Sequence, residues 1–353
     1  MSLWIDKHRP MSFDSLDFHI KEASALKKLA MSGDFPHLLF YGPPGAGKKT
    51  RISCFLRELY GVGVDKLRIE NHSFAAPSKK KVNLSTVSSN YHLEVNPSDV
   101  GIYDRIVIQE LIKDMASTAQ LDVTNQREFK VVVIHEVNRL SKDAQHSLRR
   151  TMEKYMRTCR LILCTESLSK ATRSRCLPIR VAAPTVEDIV RILCKVTKLE
   201  GLVMPTELAE RIAFASDRNL RRSLLLAEVA RAQHYPYTCD QTILLPDWQN
   251  FIADTASCIL SEQSPRRVLE IRGRLYELLA HCVPPDVIFR GLLDGLLSSC
   301  DSTLKHELIN LAATHEHHMH LGQKPIFHLE AFVIGFMALY KRFIEDTLAG
   351  SGI

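Results

Sequence analysis

The run Gly42-Pro43-Pro44-Gly45-Ala46-Gly47-Lys48-Lys49-Thr50 constrains this chain more than any other. It follows an apolar stretch, His37 to Tyr41, and precedes a helical pattern, Arg51 to Tyr60. A glycine-rich turn between a strand and a helix is what a phosphate-binding P-loop requires. The glycines let the backbone wrap the phosphates, the helix N-terminus aims N–H groups and positive dipole at them, and Lys48 reaches the β and γ oxygens. The bland alternative is a plain turn that links the two elements. The motif departs from its pattern at Lys49, where a Ser or Thr hydroxyl ordinarily ligates Mg²⁺; an ammonium neutralises phosphate charge but cannot coordinate the metal.

Two further strand patterns, Phe129–Ile134 and Arg160–Cys164, are separated from the first by helical ones. That order predicts parallel strands joined by crossover helices, an α/β P-loop domain. The strand Val131–Ile134 ends in His135-Glu136, where P-loop ATPases place a metal-binding acid and the Glu that polarises water. Here Glu136 stands without the first acid. The third strand ends in Thr165-Glu166, in reach of a γ-phosphate, and Ser174-Arg175-Cys176 follows in a loop.

After Pro184 the pattern is helical throughout. Thr185 caps a helix with Glu187 and Asp188 in its first turn, and a second starts near Thr206. Residues 234–247 read as a linker, and helical spacing then runs to the C-terminus with breaks at Pro265, Pro284-Pro285, Asp301 and 322–325. The expected domains are an α/β nucleotide-binding domain at 1–181, a small helical domain at 182–238 and a helical bundle at 239–353.

With 353 residues, 45% of them apolar, the chain has enough material for more than one core. Its nine cysteines lack CxxC pairing, which argues against a disulfide framework or zinc knuckle and for a reducing compartment. The start, MSLWIDKHRP, lacks the apolar core of a signal peptide, and no run is long enough to span a bilayer, so a soluble intracellular protein without membrane contact is expected. The net charge of +6 is too mild to diagnose nucleic-acid binding, but Arg127–Arg180 carries 13 Lys and Arg against 5 Asp and Glu. Within it, Ser141–Arg157 predicts an amphipathic helix with Ala144, Leu148, Met152 and Tyr155 inward and His146, Arg149, Arg150, Lys154 and Arg157 elsewhere. Such a basic face suits DNA phosphates, a solvated surface or a neighbouring subunit. Lys79-Lys80-Lys81 reads as a solvated loop. His315-Glu316-His317-His318-Met319-His320 fails the HExxH zinc pattern, because Met stands at 319.

Together the motifs resemble the small subunits of eukaryotic replication factor C, AAA+ clamp loaders, and their subunit 3-like branch. The similarity spans nearly the whole chain: Leu3–Pro10, the GAGKKT ending of the P-loop, Leu93–Asp99, Leu148–Tyr155, Ser174-Arg175-Cys176, Asn219–Arg222 and Arg272–Leu279. The resemblance implies a five-subunit ring of replication factor C subunits, with ATP or ADP at subunit interfaces, that opens a sliding clamp and closes it on primer–template DNA in the nucleus. It also implies that the three domains are an AAA+ nucleotide-binding domain at 1–181, a helical lid at 182–238 and a helical collar at 239–353. It implies Arg9 and Pro10 near the adenine, Gly42, Gly45, Gly47, Lys48, Lys49 and Thr50 around the phosphates, Arg221 approaching them from the lid, and Arg175 acting as a finger on a neighbouring subunit's nucleotide. Arg149, Arg150 and Lys154 are its DNA-contact candidates.

Against the family pattern, Lys49 replaces the metal-binding hydroxyl, His135 the metal-binding Asp, and Glu166 a sensor Asn, while the loop from Lys170 to Ser174 is shorter. Metal capture and water positioning each lose a group, so hydrolysis in this chain's own site is expected to be weak. Glu166 would add negative charge near the triphosphate and needs a cation to offset it, with Lys49 the candidate. A self-sufficient AAA+ motor or helicase loader, and a non-enzymatic scaffold subunit, are the competing readings.

Overall fold

The computed structural model describes residues 2–75, 81–117, 129–156, 158–167 and 173–350. The chain divides into two compact units, Met1–Ile243 and Leu244–Ile353.

The first unit is built on a seven-stranded sheet. Its strands are β1 (Leu38–Tyr41), β2 (Arg68–Ala75), β3 (Lys81–Ser88), β4 (His92–Val95), β5 (Lys130–Ile134), β6 (Cys159–Thr165) and β7 (Leu177–Arg180), in the order β2-β3-β4-β5-β6-β1-β7. β4, β5, β6, β1 and β7 run parallel, so the ends of β4, β5, β6 and β1 reach one edge of the sheet, where ligands bind in open α/β folds. Alternation explains why both faces are covered. Leu38, Phe40, Val131, Val133 and Ile162 pack on one side, with Phe55 and Ile52 of α3 (Lys48–Tyr60) and Leu26 of α2 (Ile20–Met31). Leu39, Val132, Ile134, Leu161 and Leu163 pack on the other, with α4 (Asp104–Ser117) and α5 (Lys142–Lys154).

β2 and β3 extend this parallel sheet as an antiparallel hairpin, and β3 also pairs antiparallel with β4. The sequence pattern gave no sign of the hairpin, because its runs, RIENHSFA and KVNLSTVS, carry few apolar residues. Lys81 opens β3, whereas Lys79 and Lys80 lie outside the described residues, as do Arg157 and residues 168–172 of the shortened loop.

A three-helix layer, α6 (Val186–Leu199), α7 (Thr206–Ala215) and α8 (Leu220–Gln233), completes the first unit. Thr185 and Asp188 cap α6 reciprocally: the Asp188 N–H donates to the Thr185 hydroxyl, and the Thr185 N–H to the Asp188 carboxylate. Ile189, Leu193, Ile212 and Ala227 form the helical core together with Trp4 of the short helix α1 (Trp4–Lys7). The N-terminal segment is thereby fixed to the lid. The Trp4 N–H donates to Glu228 at 3.2 Å, Arg231 lies over the Trp4 ring, and Lys7 pairs with Glu200 at 2.7 Å.

The second unit is five helices: α9 (Asp247–Ser261), α10 (Pro265–Ala280), α11 (Pro285–Ser299), α12 (Ser302–Leu321) and α13 (Pro325–Gly350). Pro265, Pro285 and Pro325 each open a helix, where the missing N–H costs nothing. Phe289, Leu292, Phe332 and Phe336 are fully buried in its core, with the Phe289 and Phe332 rings 4.6 Å apart. Among the described residues no helix is long and apolar enough to cross a membrane.

Candidate nucleotide site

The P-loop leaves β1 and enters α3 at Gly47, so Lys48, Lys49 and Thr50 form the first helical turn. Gly45 and Gly47 hold φ values of 72° and 84°, a backbone region that side-chain-bearing residues rarely adopt. A Cβ at Gly45 would lie 1.8 Å from Asn219 Oδ1, so the loop fits against the lid only because that side chain is absent. Asn219 in turn caps α8 by accepting the Arg222 N–H. The loop is braced from beneath by Arg51, which is 1% exposed; its guanidinium donates to the Ala46 and Phe18 carbonyls and lies over the Phe18 ring, 4.5 Å from its centroid.

The Lys48 ammonium donates to the Gly42 and Pro43 carbonyls at 2.7 and 2.9 Å. Burial pulls its pKa down, Cys164 and Glu166 oppose that, and Arg221 adds to it, so Glu166 and Arg221 both act electrostatically on the loop lysine. Arg9 Nε donates to the Thr50 hydroxyl at 3.3 Å. A cavity of about 840 Å³ is lined by Arg9 and Pro10, by Gly45, Gly47, Lys49 and Thr50, and by Leu220 and Arg221 of the lid, whereas Gly42 and Lys48, also nominated by the sequence, do not line it. Its size suits a small-molecule ligand, and its walls come from the three segments the sequence nominated.

The residues beside the P-loop are arranged differently from a metal site. Glu94 on β4 is buried, with His135 Nε2 3.3 Å and Lys49 Nζ 3.5 Å from the same carboxylate oxygen and His92 Nε2 3.8 Å from the other. Burial by itself would raise the Glu94 pKa, but the hydrogen bond from His135 and the charges of Lys49, His135 and His92 prevail and hold it down at about 2. Lys49 is therefore paired with Glu94, whereas the sequence reading has it offset Glu166; Glu166 instead lies in the field of Lys48. Glu136 has a left-handed backbone, φ 52°, accepts from the Ser98 hydroxyl at 3.3 Å and pairs with Arg139 at 3.4 Å. In the sequence, Glu94 and Asn219 stand out only as parts of family motifs and Arg51 only as the start of a helical run. The sequence signal was partial: nitrogen-bearing side chains at two metal-ligand positions, Lys49 and His135, call for an acid without saying which one.

Arg175 lies outside the cavity. It pairs with Glu153 of α5 and lines a separate hollow of about 400 Å³ with Arg105, Arg149, Arg150 and His146. Lys154 does not line that hollow; its ammonium sits 5.2 Å from the Tyr155 ring centroid. Ala144, Leu148 and Met152 of α5 are buried and Arg150 and Lys154 exposed. All nine cysteines are free, and burial pushes the Cys164 and Cys176 thiols up to about 11 and about 12.

A P-loop at the carboxyl edge of a mostly parallel sheet, closed by a three-helix lid and followed by a helical C-terminal unit, defines an AAA+ protein. Residues 191–232 match the profile of the RCF1/5-like AAA+ ATPase lid domain, and residues 248–344 that of the replication factor C subunit 3 C-terminal domain. Replication factor C subunit 3 of Homo sapiens is 59% identical over 353 residues, with 99% of each chain covered. Its counterpart in Arabidopsis thaliana is 48% identical, covering 98% of this chain and 99% of that one; replication factor C subunit 5 of Schizosaccharomyces pombe is 48% identical, covering 96% of each. The chain belongs to the replication factor C subunit 3 family.

Proposed function

We propose that this chain is a nuclear clamp-loader subunit that works within a five-membered ring of replication factor C subunits. It holds ATP or ADP in the cavity between its N-terminal segment, P-loop and lid, and helps open a sliding clamp and place it on primer–template DNA. The observation that carries the reading is the convergence of Arg9, Pro10, the P-loop and Arg221 on one cavity of about 840 Å³. Arg9 and Arg221 both line it and supply cations, and the first turn of α3, whose Lys49 and Thr50 line it too, supplies N–H groups.

In this reading the chain's own site holds nucleotide better than it hydrolyses it. Glu136, the residue for polarising water, is occupied by Ser98 and Arg139 and has no acidic neighbour at 135. Arg175 instead serves a neighbouring subunit as a finger in trans. It lies outside this chain's cavity, in a hollow that gathers Arg105, Arg149 and Arg150 with Asp143 and Glu153, so a neighbour's phosphate would take the place of Glu153 as its partner.

Arg149, Arg150 and Lys154 are the proposed contacts to the DNA backbone. Because Arg149 and Arg150 share the Arg175 hollow, a second role for that pair is to support the finger against the neighbour's phosphates. Salt separates the two: a DNA-contacting arginine, once removed, lowers the salt slope of DNA binding by about one, whereas a finger-supporting one lowers turnover and leaves the slope unchanged.

The test of the whole reading is clamp loading on a primed DNA circle by an assembly reconstituted with Arg175→Ala in this chain. Assembly at normal yield with defective loading is the expected result. A chain that joins no complex with the other subunits would remove the basis for the proposal.

A further inference from the structure

Beside a nucleotide, P-loop ATPases hold a magnesium ion, using the hydroxyl that follows the P-loop lysine and an acid at the end of the neighbouring strand. The side chains at this site do not fit that ion. Lys49 puts an ammonium, which has no lone pair to donate, where the hydroxyl belongs. His135 replaces the acid, and its Nε2 is directed at Glu94. Thr50, the next hydroxyl in the chain, accepts from Arg9. Glu136 is held by Ser98 and Arg139. Among the described residues no group of three or more His, Cys, Asp or Glu is placed to hold a metal ion.

What stands there is a set of groups already balanced in charge. The Glu94 carboxylate, 10% exposed, is flanked by Lys49 and His135 on one oxygen and His92 on the other. His92 is itself fixed by Ser89, whose hydroxyl lies 2.6 Å from Nδ1. A metal entering this cluster would have to displace the Lys49 ammonium from its carboxylate while losing its own hydration shell, which magnesium gives up reluctantly. The Lys49 side chain is 48% exposed, so one flank rests on Glu94 while the other remains open. Consecutive residues on a helix point about 100° apart, so Lys48 and Lys49 address a ligand at the α3 N-terminus from different sides.

Resting on the reading that the cavity takes an adenine nucleotide, we propose that this site binds its nucleotide without a divalent cation. The Lys49 ammonium, anchored by the Glu94 carboxylate that His135 also holds, takes the metal's place as counter-charge to the phosphates. The α3 N-terminus, Lys48, Lys49, Arg9 and Arg221 then supply the positive field.

The test is fluorescence titration of the full chain with N-methylanthraniloyl-ADP, in excess magnesium chloride and again in excess EDTA. The proposal predicts dissociation constants that agree within about twofold. Lys49→Thr should weaken binding in EDTA by about tenfold, the loss of one charge-assisted contact. Lys49→Thr combined with His135→Asp, which rebuilds the oxygen ligands, should bind about tenfold tighter with magnesium than without. Glu94→Gln, which frees the ammonium without removing it, should weaken binding less than Lys49→Thr does, and thermal melting checks that each variant is folded. Wild-type binding that disappears in EDTA overturns the proposal but leaves the nucleotide reading intact. So does a Lys49→Thr chain that matches wild type in both buffers. No binding in either buffer overturns the nucleotide reading and the proposal with it.

Discussion

The two sides of the nucleotide site differ in what they are made of. The phosphate cradle is mostly backbone: glycines at positive φ, the first turn of α3, and the carbonyls of Ala46 and Phe18 braced by Arg51. The metal side is all side chains, Lys49, Glu94, His135 and Glu136, each engaged with another. A backbone cradle persists as long as the fold and its glycines do. A side-chain site can be replaced one residue at a time, and here each replacement is matched by a charge partner. The contrast teaches that holding a nucleotide and hydrolysing it rest on separable parts of the same fold.

That contrast can be broken or sharpened at several points. The largest expected effect is on the brace. Arg51→Met leaves the Ala46 and Phe18 carbonyls without their donor and should cost the first unit about 3 kcal/mol. The check is the thermal midpoint followed by Trp4 fluorescence in a Trp248→Phe background, since the chain has 2 tryptophans, one in each unit. Next, Lys48→Ala should weaken ADP binding about 100-fold while the same melt stays unchanged. If the melt falls as well, the lysine belongs to the scaffold and the division between cradle and ligand contact is misplaced.

On the metal side, Glu94 ties charge to stability. Its folded pKa of about 2 lies below the ordinary 4.5, so its contribution is complete above 4.5 and is lost as pH falls from there toward 2. Wild type should therefore exceed Glu94→Gln by about 2 kcal/mol at neutral pH, and that lead should shrink through this window. A lead constant with pH would mean that the carboxylate is not paired as described.

Much of the cradle, and several helix starts elsewhere, were legible in the sequence because their causes are local. Glycines, the P-loop lysine, the Thr185–Asp188 cap and the prolines that open α10, α11 and α13 each act within a few residues. The β2–β3 hairpin was not legible: its runs are mostly polar, and they owe their pairing to an edge that the rest of the sheet provides. Glu94 escaped for a related reason. Its partners come from α3 and the end of β5, and only the parallel β4–β5 register, with the His135 N–H donating to the Val95 carbonyl, brings them together. Arg51 enters the sequence reading only as the start of a helical run, and only packing shows it buried against Phe18. Arg175 was visible as a residue, but its grouping with Arg105, Arg149 and Arg150 depends on how α4 and α5 lie together.

The central claim is that this chain keeps the cradle and lends its arginine elsewhere. The most direct measurement is ATP turnover by the reconstituted complex, stimulated by clamp and primed DNA, with Glu136→Gln or Arg175→Ala introduced in this chain only. The account predicts that Glu136→Gln changes turnover less than about twofold, while Arg175→Ala removes the share of the site it completes, where loss of a finger is worth roughly 10³-fold. Damage from Glu136→Gln with Arg175→Ala silent would make this subunit a working ATPase and contradict the account.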